Sequence, residues 1–175
     1  PPSQHIAIIG FNRASMNSDD VITTALDTVN VMTAGTIKKK EGATIEFEPL
    51  LQSSSNAGLV PTARLAFLAD SDALLENFKA TGERYTVAAR IRGKLKSAYP
   101  NGQPEGVEGA GEHRAESSEE ANLIVVADTD ILSDPLWIRT QNVFGQHFAM
   151  AWANNGGFIA NALDNLAGSR DLISI

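Results

Sequence analysis

Asp128, Asp130 and Asp134 stand close together directly after the apolar run Leu123-Ile124-Val125-Val126-Ala127. An Asp-x-Asp pair at a strand end can supply a nucleophile and hold Mg²⁺, a hard cation that takes oxygen ligands. That chemistry is phosphoryl transfer, as in haloacid-dehalogenase-type phosphatases. The chain departs from their pattern. Ile131 follows Asp130 where those enzymes place a small residue, and no second acidic pair appears at a later strand end. Two other readings stand beside it: a ligand or metal site without reaction chemistry, or acids that cap turns and helix starts through their own backbone.

Two further clusters carry polar chemistry. The basic run Arg84, Arg90, Arg92, Lys94, Lys96 sets Arg90 and Arg92 on one face of a strand, where they could clamp an anion or simply face water. Asn154 and Asn155 precede a helical pattern in which Asn161, Asp164 and Asn165 share the polar face. Asn is a poor helix former, so this concentration points to specific hydrogen bonds, to loops or to a ligand. His5, His113 and His147 have no metal-ligand spacing, and no Ser-His-Asp set assembles. The chain contains no cysteine, which excludes thiolate catalysis, disulfides and Cys-based zinc sites. Trp137 and Trp152 read as core residues, not as a cofactor stack.

These residues must be carried by elements legible in the pattern. An apolar strand is expected over 6–11. A helix is expected over 19–29, with Val21, Ala25, Leu26 and Val29 on its buried face. A strand over 29–35 and a hairpin joining 37–40 to 44–50 follow, then a polar loop over 52–58 and a short helix from Ser71 carrying Leu74, Leu75 and Phe78. Residues 85–92 alternate as a strand. Residues 97–118 are dominated by Gly, Pro, Glu and Ser and read as a long mobile surface loop. The run 122–127 reads as the central buried strand. Pro135, behind Ser133 and Asp134, starts a helix; 147–152 is a last strand; and Phe158, Ile159, Ala162, Leu163 and Leu166 form the stripe of a final helix stopped at Gly168.

The 175 residues suit a single domain, 43 % hydrophobic, and the net charge of −7 argues against a nucleic-acid partner. No apolar run reaches the roughly 18 residues that cross a bilayer. Pro1-Pro2-Ser3-Gln4-His5 lacks both an initiator Met and the features of a signal peptide, and reads as the start of a piece excised from a longer protein.

Taken together, several segments resemble one family. The run from Glu83 to Pro100 is similar to the "RYxxAARxxGKLKSAFP" segment of the auxiliary component of gliding-motility-type ABC transport systems. Ala127 to Asp134 with Trp137, Gln141-Asn142 and Gly145-Gln146 resembles the next block, and Asn154-Asn155, Asn161–Ser169 and Asp171–Ile175 resemble the closing one. Upstream, Thr33-Ala34-Gly35, Pro49-Leu50-Leu51 and Ser53-Ser54 fit as well. The resemblance implies an extracytoplasmic (periplasmic) domain of a membrane-anchored protein, next to an ABC permease and its ATPase. It implies an α/β fold of flavodoxin-like or glutamine-amidotransferase-like class, possessed here whole or as a partial domain. It transfers no catalytic residue.

The expectation is therefore an α/β domain with a mainly parallel central sheet flanked by helices. It acts as a non-enzymatic binding module without a cofactor, with a metal left open. Asp128, Asp130 and Asp134 form one wall of its site, Asn154 and Asn155 the other, and Arg90 and Arg92 are available to anions. Partners are the permease and ATPase subunits, an envelope glycan or small molecule, and a second copy of the chain. The rival readings are a phosphoryl hydrolase using Asp128 and Asp130, and a pure assembly scaffold.

Overall fold

The computed structural model describes residues 7–65, 78–106, 111–143 and 145–168. In chain order its elements are β1 (Ile8–Asn12), β2 (Thr28–Met32), β3 (Glu46–Gln52), α1 (Thr62–Leu65), β4 (Thr86–Gly93), β5 (Ala121–Val126), α2 (Asp134–Trp137), β6 (Ile138–Val143), β7 (Gln146–Ala151) and α3 (Asn155–Gly168). A single 3₁₀ turn, Arg13–Ser15, follows β1. The expected helix over 71–78 lies outside the described residues except for Phe78, as do Ile6 and the block from Ser169 onward.

The strands form three small sheets: β1-β2, β3-β4-β5 and β6-β7. Every pairing among the described residues is antiparallel. The expected parallel, flavodoxin-like or glutamine-amidotransferase-like sheet is therefore corrected. A parallel pair needs a crossover of a dozen or more residues, usually a helix. Among the described residues α3 is the sole helix longer than one turn, and it comes after the last strand. Each strand instead folds back on a neighbour.

The strand at the centre of the three-stranded sheet is β4, not the apolar run after Asn122. Thr86 to Arg90 are five consecutive buried residues, flanked by β3 on one side and β5 on the other. β5 lies at the rim of that sheet, half-buried, with Leu123 exposed. An unbroken apolar run suggests burial on both faces, but here it covers an outer strand. Beyond β5, Ala127 O accepts the Gly35 N–H (2.7 Å), and the Ala127 N–H donates to Val87 O (2.8 Å). The end of β5 is thus held between β4 and the chain leaving β2.

Two further expectations change. Residues 19–29 form turns, not a helix: Thr23 and Thr24 N–H groups both donate to Asp20 O (3.1 and 2.9 Å), and the chain then enters β2. Val21, Ile22, Thr23 and Thr24 are four β-branched residues in a row, which weakens a helix against a turn. Ile22 is buried, whereas Val21 faces water. The hairpin expected from 37–40 and 44–50 does not form either. β3 pairs with β4 from Glu46↔Arg92 to Gln52↔Thr86, while Ile37 makes a lone bridge to Thr86. The alternating face of β3 finds more apolar cover on the buried β4 than the Lys-rich 38–40 segment could offer.

The core joins the sheets. Phe11, Ile22, Val29, Val31, Leu50, Leu51, Val87, Ala88 and Ile131 pack with Phe158 and Ala162 of α3. Leu163 and Leu166, expected on the same helical stripe, are exposed. The β6-β7 hairpin stands apart. Every residue of β7 is exposed, and Phe148, Met150 and Trp152 share one face. Trp152 is thus not a core residue; the Arg139 guanidinium sits over its ring, 4.8 Å from the centroid. Trp137, half-buried, lies against Gly156 at the start of α3. Among the described residues no helix is long and apolar enough to cross a membrane.

Candidate functional site

Three of the polar residues that the sequence singles out, Asp128, Asn154 and Asn155, converge on one edge of β2. The phase of the β1-β2 ladder explains why that edge needs partners. The Thr33 N–H donates to Ala7 O (2.7 Å), so bonded pairs continue at Ile9/Val31 and Phe11/Val29. Thr28, Asn30 and Met32 therefore turn their backbone groups away from β1. An unpaired buried backbone group costs about as much as a lost hydrogen bond.

Among the described residues no strand covers that edge; three side chains do. Asn154 Oδ1 accepts the N–H groups of Asp27 and Thr28 (3.0 and 3.1 Å), and its own N–H donates to Thr28 O (2.7 Å). Asn155, fully buried, accepts the Asn30 N–H at Oδ1 (3.0 Å) and donates from Nδ2 to Asn30 O (2.7 Å) and Ile131 O (2.6 Å). Asp128 Oδ2 accepts the Met32 N–H (2.8 Å), and its Oδ1 accepts the Asp130 N–H (2.6 Å). Asp128, Asn154 and Asn155 are thus brought together, as a substitute for a neighbouring strand. Their placement follows from local sequence. Asp128 comes directly after β5 and Ala127, and Asn154 and Asn155 open α3, whose Phe158 N–H donates to Asn154 O (2.8 Å).

Asp130 and Asp134 lie next to this edge in the chain. Asp130 O accepts the Ser133 N–H (2.7 Å), and Asp134 begins α2 with its side chain exposed. Among the described residues no group of three or more His, Asp or Glu side chains is arranged to hold a metal ion.

Arg90 is a second centre, on the buried strand. Its side chain is 1 % exposed and pairs through Nε and Nη2 with both carboxylate oxygens of Asp20 (2.7 and 2.8 Å), itself 3 % exposed. Nη1 donates to Asn165 Oδ1 (2.7 Å) and to Asn122 Oδ1 (3.4 Å). Burial pushes the Asp20 carboxyl up, but the hydrogen bonds from Arg90 and from the Ile22 N–H, with the charges of Arg90 and Arg92, outweigh it and hold Asp20 below its ordinary pKa. The buried, forked geometry suits a guanidinium, whose planar donors match two oxygens at once.

Arg92 behaves differently. Its side chain is half exposed, with one long contact to Glu48 (4.0 Å). It pairs with Asn122 at the start of β5, whereas Asp128 follows the end of that strand. At about 3.3 Å per residue, a whole strand separates Arg92 from the acids. The anion beside Arg90 is the buried Asp20 carboxylate, which the charge of Arg92 also favours.

Asp20, Asn30 and Asn122 complete these networks without having been singled out beforehand. A lone Arg inside the apolar Val87–Ile91 stretch demands a buried acid, which is a usable signal for Asp20. The helix-face asparagines are accounted for: Asn161 Nδ2 donates to Ile22 O (3.0 Å), and Asn165 meets Arg90. Asp164 is exposed.

Residues 1–162 match the family model described as an ABC-type uncharacterized transport system, auxiliary in kind. No curated protein and no solved structure matches the chain. With most of its length matched, the chain belongs to that family of ABC-type transport-system components.

Proposed function

We propose that the chain is a non-enzymatic auxiliary domain that engages the permease and ATPase subunits of its transport system. We place it on the extracytoplasmic face of the cytoplasmic membrane, anchored by segments outside this sequence. The similarity of Glu83–Pro100 and Ala127–Asp134 to gliding-motility-type auxiliary components supports that placement. In this reading Asp128, Asn154, Asn155 and Arg90 hold the framework. Asp130 and Asp134, and separately Arg92, are the groups left to meet a glycan or small molecule.

One observation carries the reading. Both oxygens of Asp128, the residue best placed in sequence to be a nucleophile, accept backbone N–H groups at 2.6 and 2.8 Å. Charge-assisted bonds from two N–H groups orient a carboxylate and draw charge from both oxygens, which lowers their reactivity toward phosphorus. This one is oriented by the strand edge it closes.

The test has two arms. The membrane protein bearing this domain, solubilised in mild detergent, is expected to bring down a permease and an ATPase. The domain alone is expected to leave p-nitrophenyl phosphate unhydrolysed with Mg²⁺. Mg²⁺-dependent turnover that disappears in a folded Asp128→Asn variant would establish a phosphoryl hydrolase instead.

A further inference from the structure

We infer that the free edge of β1 binds an extended, uncharged polypeptide segment by strand addition. The site lies across the sheet from the edge closed by Asp128, Asn154 and Asn155, and it does not depend on the transport-system reading.

The ladder phase that turns Thr28, Asn30 and Met32 away from β1 turns Ile8, Gly10 and Asn12 away from β2. Among the described residues their backbone N–H and C=O groups carry no protein partner, although the Asn12 side chain caps the following turn at the Ala14 N–H (3.1 Å). They open onto a cleft of about 620 Å³, lined by β1 along its whole length and by Ser53, Ser54, Asn56, Gly58 and Phe78. A space of that size suits a short peptide segment.

The chemistry of the cleft selects the occupant. Among the described residues no charged side chain lines it. Proteins protect exposed strand edges with charge, proline, bulges or a covering element. The sequence Ile8-Ile9-Gly10-Phe11-Asn12 has no charge and no proline, and its pairing with β2 runs without a bulge. The same sheet closes its other edge with three side chains. A bare, regular, uncharged edge inside a cleft offers alternating donors and acceptors to a peptide backbone, the mode by which an added strand is recognised. Ile8 and Ile9, both exposed, offer apolar contact on opposite faces of the strand, and Asn56 offers an exposed side-chain amide. A segment of alternating small polar and β-branched residues fits best.

The probe is the capped peptide acetyl-Thr-Val-Thr-Val-Thr-amide, added in millimolar excess to the full ¹⁵N-labelled chain. Amide exchange at Gly10 and Asn12 should slow by about tenfold or more, while Ile9 and Phe11, already bonded to β2, change little. The same peptide methylated at every amide nitrogen should have no effect. Ile8→Pro removes one outward N–H that β2 does not use, a substitution that edge strands tolerate; it should weaken binding about fivefold or more with the Ile9 and Phe11 resonances intact. Should Ile8→Pro fail to fold, Ile9→Lys tests the same edge by placing a charge on it, and it should abolish the protection. Unchanged Gly10 and Asn12 amides, equal effects of the two peptides, or protection that grows with chain concentration without peptide would each overturn the inference; the last would make a second copy the occupant.

Discussion

The side-chain amide of Asn155 stands to the peptide group of Asn30 as a neighbouring strand would, with Oδ1 on its N–H at 3.0 Å and Nδ2 on its carbonyl at 2.7 Å. The pairing spans 125 residues and is wholly buried. It shows how a segment rich in Asp and Asn can look reactive in sequence while its polar atoms serve the backbone.

Asn155→Ala should therefore cost far more than a typical polar truncation. It strands the Asn30 N–H, the Asn30 carbonyl and the Ile131 carbonyl together, so a loss of about 3–5 kcal/mol is expected. Asn155→Asp keeps the size but turns a donor into an acceptor facing two carbonyls, and should be no milder at neutral pH. Urea denaturation checks both; a loss under about 1 kcal/mol for Asn155→Ala would mean that the pairing contributes little.

The Arg90–Asp20 pair ties the central strand to the turn before β2. Removing one partner leaves a buried charge uncompensated, so Asp20→Asn and Arg90→Met should each cost about 3–5 kcal/mol, and the joint change to apolar residues should recover a large part. The pH dependence has a definite sign. Asp20 is held below its ordinary pKa in the folded chain, so the unfolded chain takes up the proton more readily. The stabilisation is complete above the unfolded value of about 3.9 and is lost as pH falls through the folded one. Wild-type stability should drop more steeply than that of Asp20→Asn in this acid window, measured by denaturant titration at several pH values.

Asp128→Ala should destabilise by about 1–3 kcal/mol, because the Met32 and Asp130 N–H groups lose a charged acceptor. Millimolar Mg²⁺ should leave Tm unchanged in both the parent and the variant. A Mg²⁺-dependent rise confined to the parent would restore Asp128 as a ligand.

Gly156 opens α3 against an aromatic ring. A Cβ there would lie 2.7 Å from Cζ3 of Trp137, and the ring is held by its own hydrogen bond from Nε1 to Leu132 O (3.2 Å). Gly156→Ala should lower stability by about 1–3 kcal/mol despite the better helix propensity of alanine. Combining it with Trp137→Leu should be less costly than the sum of the two single changes, since the clash disappears with the ring.

Local pattern located several elements well. The alternation of 85–92 marks β4 (Thr86–Gly93), 147–152 marks β7 (Gln146–Ala151), and the asparagines and Gly168 bracket α3 (Asn155–Gly168). Pairing was not legible, because register and partner are chosen by contacts distant in sequence. The apolar run of β5 gives the same local signal at the rim as at the centre of a sheet. The turn at 19–29 shows tertiary context overriding an amphipathic pattern, with Asp20 drawn to Arg90 across 70 residues. Only the nearness of Asp128 to Asn154 and Asn155, expected as facing walls of a ligand site together with Asp130 and Asp134, was legible. That their common target is the backbone of β2 was not, since a side chain that replaces a strand leaves no periodic signature.

Residue-resolved hydrogen exchange on the unmodified chain tests most directly whether side chains close the far edge of β2. The Thr28, Asn30 and Met32 amides should exchange as slowly as those of Val29 and Val31, and Asn155→Ala should release Asn30 first. Exchange of all three at the rate of the bare Gly10 amide would show that the edge is open, and that the acids and asparagines of 128–155 are free for another role.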